Sequence, residues 1–157
     1  MAAGNFSVTA ALAQAAALLV APHLPHREII DYASAGKRDA PSGTARELAE
    51  RLAAVSATTV DVPVDQTGGH VEARGATVSG TQVHSVRLPS FVVSTEVVFA
   101  LPDERLAIRH DAGSTPTPYV AGTLLAIRAA AGRTGLVRGL DTLLLDRGAA
   151  DAPGRNA

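Results

Sequence analysis

Apolar residues fall on nearly every side of the stretch VTAALAQAAALLVA, residues 8–21. Such a run predicts a buried helix. Asn5 and Ser7 are candidate N-caps, and Pro22 and Pro25 end it. From Glu28 to Ala33 the pattern turns to Ile and Tyr and predicts a strand. Residues 34–41 read as a loop. A second helix is expected from Ser42 or Gly43 to about Val55. Glu47 and Arg51 stand four apart in it, the spacing of an exposed pair contributing about 0.2–0.5 kcal/mol. Thr58–Val64 reads as a strand, and the glycine-rich residues 65–80 as a long loop or lid. Three β-branched runs follow at 83–88, 92–101 and 105–112. Pro102-Asp103-Glu104 predicts a tight hairpin between the last two. STPTP, residues 114–118, breaks the chain before a third helix at Tyr119–Ala131. A short apolar segment ends near Leu145, and residues 147–157 are expected to form a disordered polar tail.

This order is helix, strand, helix, mostly antiparallel strands, helix. It predicts an α+β domain over residues 1–146, one sheet with helices on one face. The other face then needs cover, which a second copy of the chain would supply. Composition sharpens this picture. The chain has 157 residues, 46% hydrophobic and only 3% aromatic. Ala, Val and Leu dominate, so helices are expected to pack closely on the sheet. The formal net charge of −1 gives no broad attraction to nucleic acid or to an acidic membrane. The chain contains no cysteine, so disulfides, thiolate nucleophiles and cysteine metal sites are excluded. The longest apolar run is too short to span a bilayer, and a cytoplasmic location is the expectation.

Candidate chemistry concentrates in IIDYASAGKRDAPSGTA, residues 29–45. Ser42-Gly43-Thr44 sits where a loop enters a helix, and the first helical N–H groups have no partner inside the helix. The helix dipole favours an anion there. Gly43 lets a ligand approach the backbone, while the Ser42 and Thr44 hydroxyls add donors. Lys37 lies five residues upstream, and Asp39 is placed either to cap the helix or to hold Lys37. A lysine beside a helix N-terminus suits a small carboxylate. The plainer reading makes Ser42 an ordinary N-cap and Lys37 a solvated loop charge, which is the commoner case for such a pattern.

KRDAPSGTA resembles the lysine-and-DAPSGTA signature of the 4-hydroxy-tetrahydrodipicolinate (dihydrodipicolinate) reductase family of the diaminopimelate–lysine pathway. GNFSVTAAL (4–12), VHSVRLPSFVVSTEVVF (83–99) and LAIRHDA (106–112) resemble further segments of its C-terminal domain, in order. The resemblance implies a substrate and tetramerisation domain on a mixed open sheet. It implies a small cyclic dicarboxylate as substrate, NADPH or NADH as hydride donor, and a homotetramer. By resemblance Lys37 falls on the catalytic lysine, and Ser42, Gly43 and Thr44 on the loop that holds a substrate carboxylate. Asn5 and Phe6 fall on the hinge near the nicotinamide. Arg109 and His110 match the RH of the last strand and are expected to support the site.

Two departures qualify the carry-over. The family's His-His pair falls on Ala33 and Ser34, so the usual acid is absent. Ser34 is left to replace it only in part, a hydroxyl being a poor acid near neutral pH. His70 in the glycine-rich loop is the candidate replacement if that loop folds over the substrate. The Gly-rich βαβ fingerprint of a dinucleotide-binding domain is also absent, so the cofactor requires a nucleotide-binding domain supplied separately. The chain alone is expected to be inactive as a reductase. A stand-alone oligomeric carboxylate-binding or scaffold domain, and a non-redox lyase or cyclase on an anionic cyclic substrate, are the alternatives.

The remaining motifs carry less. Ser34-Ala-Gly-Lys37 has the S-x-x-K spacing of serine acyl enzymes, but Gly36 opposes the helix that motif needs. The five histidines have no metal-binding spacing. His84 alternates with valines in a strand and faces either the site or a subunit contact. Glu96, a charge within an apolar strand, is expected to pair with Arg87 or Arg109.

Overall fold

The computed structural model describes residues 2–132 and 134–150, with residues 146–150 as backbone. Where the sequence suggests one domain, the chain divides into two compact units. Residues up to Leu12 and from Thr115 onward form one, and Ala13–Ser114 the other.

The larger unit is a five-stranded mixed sheet. The elements in chain order are α1 (Val8–Val20), β1 (His26–Ala33), α2 (Gly43–Val55), β2 (Ala76–Val78), β3 (Thr81–Arg87), β4 (Val93–Leu101), β5 (Glu104–Ala112), α3 (Thr117–Ala130) and α4 (Asp141–Ala150). The strand order is β2-β3-β1-β4-β5. β1 and β3 run parallel, and every other pair is antiparallel. The parallel pair follows from the helix between its strands, since parallel neighbours need a crossover.

Strict alternation along β1 sorts the two faces. Arg27, Ile29, Asp31 and Ala33 are buried, while His26, Glu28, Ile30 and Tyr32 are half-buried. The buried face carries Ile29, Val83, Val97 and Phe99 against Ala45, Leu48, Ala49 and Leu52 of α2 and against Ala17 and Ala21. Alanines on the helix side allow the close approach that the composition predicts. Leu12 and Leu19 lie outside, 45% and 75% exposed. The helix expected to be buried all round is therefore buried only along its alanine face. Glu47, read as half of an exposed pair, is itself buried.

Thr58–Val64 is not a strand. Thr59 N–H donates to the Pro25 carbonyl, and the Thr58 and Thr81 hydroxyls lie 3.0 Å apart. Val60 and Val62 are exposed, with no ladder to hold them. β2 takes the edge beside β3 instead. β-propensity without a pairing edge does not make a strand. β2 lies inside the expected loop, after two 3₁₀ turns at Val64–Gln66 and Val71–Arg74. Ser79 and Gly80, at φ 48° and 81°, join β2 to β3 in a two-residue turn. The expected hairpin after Leu101 is present, with Asp103 at φ 66°.

In the smaller unit Ser7 caps α1, its Oγ accepting the Ala10 N–H at 3.3 Å. Ala11, Ala126, Leu140 and Leu143 form its core, with Phe6 and Leu125 against them. Pro116 precedes α3, and a proline stands in its first turn, where a missing N–H costs nothing. Four residues of the expected tail, 147–150, continue α4; the rest lies outside the described residues.

Candidate functional site

The loop from Ser34 to Ser42 leaves β1 and enters α2. Lys37 N–H donates to the Ser34 carbonyl at 3.0 Å, closing a turn over Ala35 and Gly36. Ser34 and Lys37 are thus turn partners and not helical neighbours, which removes the acyl-enzyme reading of their spacing. Lys37 Nζ lies 2.7 Å from Asp39 Oδ1. That ammonium holds the exposed Asp39 carboxyl below its ordinary range. Of the two roles open to Asp39, holding Lys37 is the one observed.

Ser42 is the N-cap of α2, with extended backbone, and its Oγ accepts the Ala45 N–H at 3.3 Å. Such a cap contributes about 1 kcal/mol. Gly43 and Thr44 open the first turn of α2, where the helix's own ladder does not reach the backbone N–H groups. A methyl group on Gly43 would meet only open space, and Gly43 lacks a positive φ. Neither backbone geometry nor packing requires glycine there. The ground beside the helix start is open to a ligand.

Beneath the loop lies a pair that the sequence reading missed. Asp31 is fully buried on the helix-covered face of the sheet. Its Oδ2 accepts the Ser42 backbone N–H at 2.8 Å, the Arg87 Nη2 at 2.8 Å and the Ser85 hydroxyl at 3.3 Å. Arg87 also donates to the Asp39 carbonyl at 2.8 Å and to the Asp31 and Val86 carbonyls. A signal was present: strand alternation places Asp31 on the same face as Ile29 and Ala33, and a charge there needs a partner.

Arg109 and His110 point to opposite faces. His110 pairs in register with Thr95, which pairs with Asp31, so the three share the buried face. Arg109 pairs with Glu96 on the other face. It stacks 4.7 Å over the Tyr32 ring and bonds Asp111 at 2.8 and 2.9 Å and Glu96 at 3.4 Å. Glu96 thus pairs with Arg109, and not with Arg87, and also accepts the Tyr32 hydroxyl. One supporting role for both Arg109 and His110 does not fit this alternation.

Burial pushes the His110 imidazole below its ordinary value. The fold therefore favours the neutral ring, and the unfolded chain takes up the proton first as pH falls. This contribution is complete above the unfolded value of about 6.5 and is lost as pH falls toward the folded one. Thermal stability is expected to fall as pH drops below about 6.5 in the wild type and to fall less in His110→Gln. Identical melting-temperature profiles in the two proteins would rule this out.

The glycine-rich segment does not contact the Lys37 loop in any described bond. Arg74 pairs with Glu28, its carbonyl accepts Gln82 Nε2 at 2.7 Å, and Gly75 packs on the Val83 carbonyl. His84 Nε2 lies 2.7 Å from Glu28 Oε2, on the open face. A cavity of about 670 Å³ lies here, lined by Glu28, Ile30, Val62, Arg74, Gln82 and His84 among others. Its lining does not include His70, Lys37 or Ser42. The candidate hinge residues belong to the other unit: Asn5 Oδ1 accepts the Ser7 N–H at 2.8 Å, and Phe6 packs in the core of that unit. Among the described residues no group of three or more His, Asp or Glu is placed to hold a metal ion. No helix among them is long and apolar enough to cross a membrane.

Comparison with known proteins places this fold. Residues 6–144 match the family described as dihydrodipicolinate reductase, C-terminus, and the chain belongs to that family. A 4-hydroxy-tetrahydrodipicolinate reductase of Mastigocladus laminosus is 40% identical over 141 residues, covering 89% of this chain and 50% of the relative. One from Desulfitobacterium hafniense is 39% identical over 142 residues, covering 90% and 53%. The dipicolinate-bound dihydrodipicolinate reductase of Paenisporosarcina sp. TG-14 superposes with a TM-score of 0.76 at 31% identity, covering 88% of this chain and 52% of that one. The chain spans about half the length of the curated relatives it matches. The expected fold, an α+β domain on a mixed open sheet, is the observed one.

Proposed function

We propose that this chain is the substrate-binding part of a 4-hydroxy-tetrahydrodipicolinate reductase-like oxidoreductase of diaminopimelate and lysine biosynthesis. In this reading the first turn of α2 receives a carboxylate of a small cyclic dicarboxylate. Gly43 and Thr44 supply amides, the Thr44 hydroxyl adds a donor, and Lys37 brings the cation and a proton at Nζ. One observation carries the reading: the Lys37–Asp39 pair and the Ser42 cap share one loop beside the open ground at Gly43. The dipicolinate-bound relative, 31% identical, supports the ligand class.

The turn from β1 into α2 does not fit a dinucleotide. It carries Lys37, Arg38, Asp39 and Pro41 where a Gly-rich phosphate turn would be needed. NADPH or NADH is assigned to a separate nucleotide-binding domain, and this chain's own part is to bind and orient the acid. A homotetramer formed through the open sheet face completes the reading. Ile30, Val86 and Val98 are half-buried there and await cover.

A second reading, an oligomeric carboxylate-binding domain without turnover, is favoured by one fact. Ala33 and Ser34 stand at the histidine positions, and Ala33 is buried. Calorimetric titration with pyridine-2,6-dicarboxylate tests the feature shared by both. Wild-type binding is expected, weakened roughly 10- to 100-fold in Lys37→Ala, the scale of a charge-assisted hydrogen bond. Equal affinity in the two proteins would refute the pocket. Turnover after adding a nucleotide-binding domain and NADPH would separate the first reading from the second.

A further inference from the structure

The geometry points to Asp31 and Arg87 as positioning residues that lock the Lys37 loop against the start of α2. The inference rests on the carboxylate reading only for its ligand. Ser34–Pro41 has few bonds of its own: the Lys37 turn and the Lys37–Asp39 pair. It is held at its far end from below. Arg87 Nη2 binds the Asp39 carbonyl and Asp31 Oδ2 at 2.8 Å each, and that same oxygen accepts the Ser42 N–H. One guanidinium group and one carboxylate thus tie together the residue that bears Lys37's counter-ion and the residue that caps the helix. Both come from adjacent inner strands of the sheet, β1 and β3.

Burial shows that the arrangement is specific. Asp31 is fully buried, and the Arg87 side chain is 16% exposed. A buried ion pair is weak evidence for stability, because desolvation offsets much of its attraction. Asp31 Oδ1 and Arg87 Nε lie buried without a hydrogen-bond partner. A pair serving stability alone would satisfy these atoms or give way to apolar residues. What the pair does achieve is placement. Its remaining bonds go to the loop carbonyl, the helix cap, Ser85 and strand carbonyls. Lysine at position 87 would keep the charge facing Asp31, but one ammonium cannot stand at both places the planar fork fills, Nη1 at the Asp31 and Val86 carbonyls and Nη2 at Asp31 Oδ2 and the Asp39 carbonyl.

Arg87→Lys is therefore the informative variant. Asp39 reports on the loop by carbon-detected NMR titration, because its carboxyl is held low by Lys37. Asp111, held low by Arg109 on a different strand, is the internal control. In Arg87→Lys, Asp39 is expected to titrate closer to the ordinary carboxylate value while Asp111 stays put. Affinity for pyridine-2,6-dicarboxylate is expected to fall at least tenfold. A folded Arg87→Lys protein with Asp39 titrating as in the wild type would overturn the assignment. A second measurement needs no variant. The Ser42 amide in the wild type is expected to resist hydrogen exchange far more than those of Arg38 and Asp39. Exchange of Ser42 at the rate of those exposed neighbours would also overturn it. If the wild type fails to bind the dicarboxylate, the pocket reading falls, and the Asp39 and Ser42 readouts still decide the positioning role.

Discussion

Replacing Gly122 by alanine is expected to destabilise the protein by about 3 kcal/mol, the upper end of ordinary overpacking. A Cβ at that position in α3 would lie 1.9 Å from the Phe6 carbonyl oxygen and 2.6 Å from Leu140 Cδ2. A leucine methyl can rotate away, but a backbone carbonyl cannot. Relief requires the segment around Phe6 to move, and Phe6 packs against the core of its unit. The gain in helix propensity, about 1 kcal/mol for Gly to Ala, is too small to offset the clash. Chemical denaturation of Gly122→Ala reads the loss directly, and wild-type stability would show that the approach of α3 to Phe6 is wrong.

Gly43→Ala inverts that outcome. It places the same methyl group at a helix start where nothing lies within 4 Å and φ is not positive. Stability is expected to hold or to rise by up to about 1 kcal/mol, because alanine loses less chain entropy than glycine. Dicarboxylate affinity is expected to fall by 10-fold or more, since the methyl group occupies the approach to the first-turn amides. The two glycines make a paired test. One is needed by the fold, and the other, in this account, by the ligand. Undiminished affinity in a stable Gly43→Ala protein would mean that the carboxylate does not approach there.

Local signals made much of this legible in advance. Ser42 starts α2 because its hydroxyl reaches the Ala45 amide three residues on, a signal contained within four residues. The turn at Pro102-Asp103 and the alternation along β1 are equally local. Thr58–Val64 misled because its residue types suit a strand, while strand formation depends on a free edge that β2 occupies. The site divided in the same way. Lys37, Asp39 and Ser42–Thr44 share one stretch and were readable together. Asp31 and Arg87 are 56 residues apart, and only the parallel pairing of β1 with β3 brings them under the loop. Arg109 and His110 looked like one motif because they are adjacent. Adjacency in a strand is what sends them to opposite faces.

By resemblance to the family, Ala33 and Ser34 stand where a histidine pair is expected. Ala33 is buried on the helix-covered face, and Ser34 is exposed at the head of the turn. No imidazole stands at either place. Lys37 is the cation of the loop nearest in sequence to Gly43 apart from Arg38, and its carboxylate partner Asp39 is half exposed. In the proposed reading, an incoming dicarboxylate competes for Lys37 without first breaking a buried pair. That arrangement favours binding at a small cost in reorganisation.

The start of α2 with Lys37 is the proposed anion pocket. Its most direct test is residue-resolved NMR titration of the chain with pyridine-2,6-dicarboxylate. The Gly43, Thr44 and Ala45 amides are expected to shift together and saturably, with Lys37 Nζ following the same curve. Shifts confined instead to Glu28, Gln82 and His84, beside the cavity on the open sheet face, would contradict it.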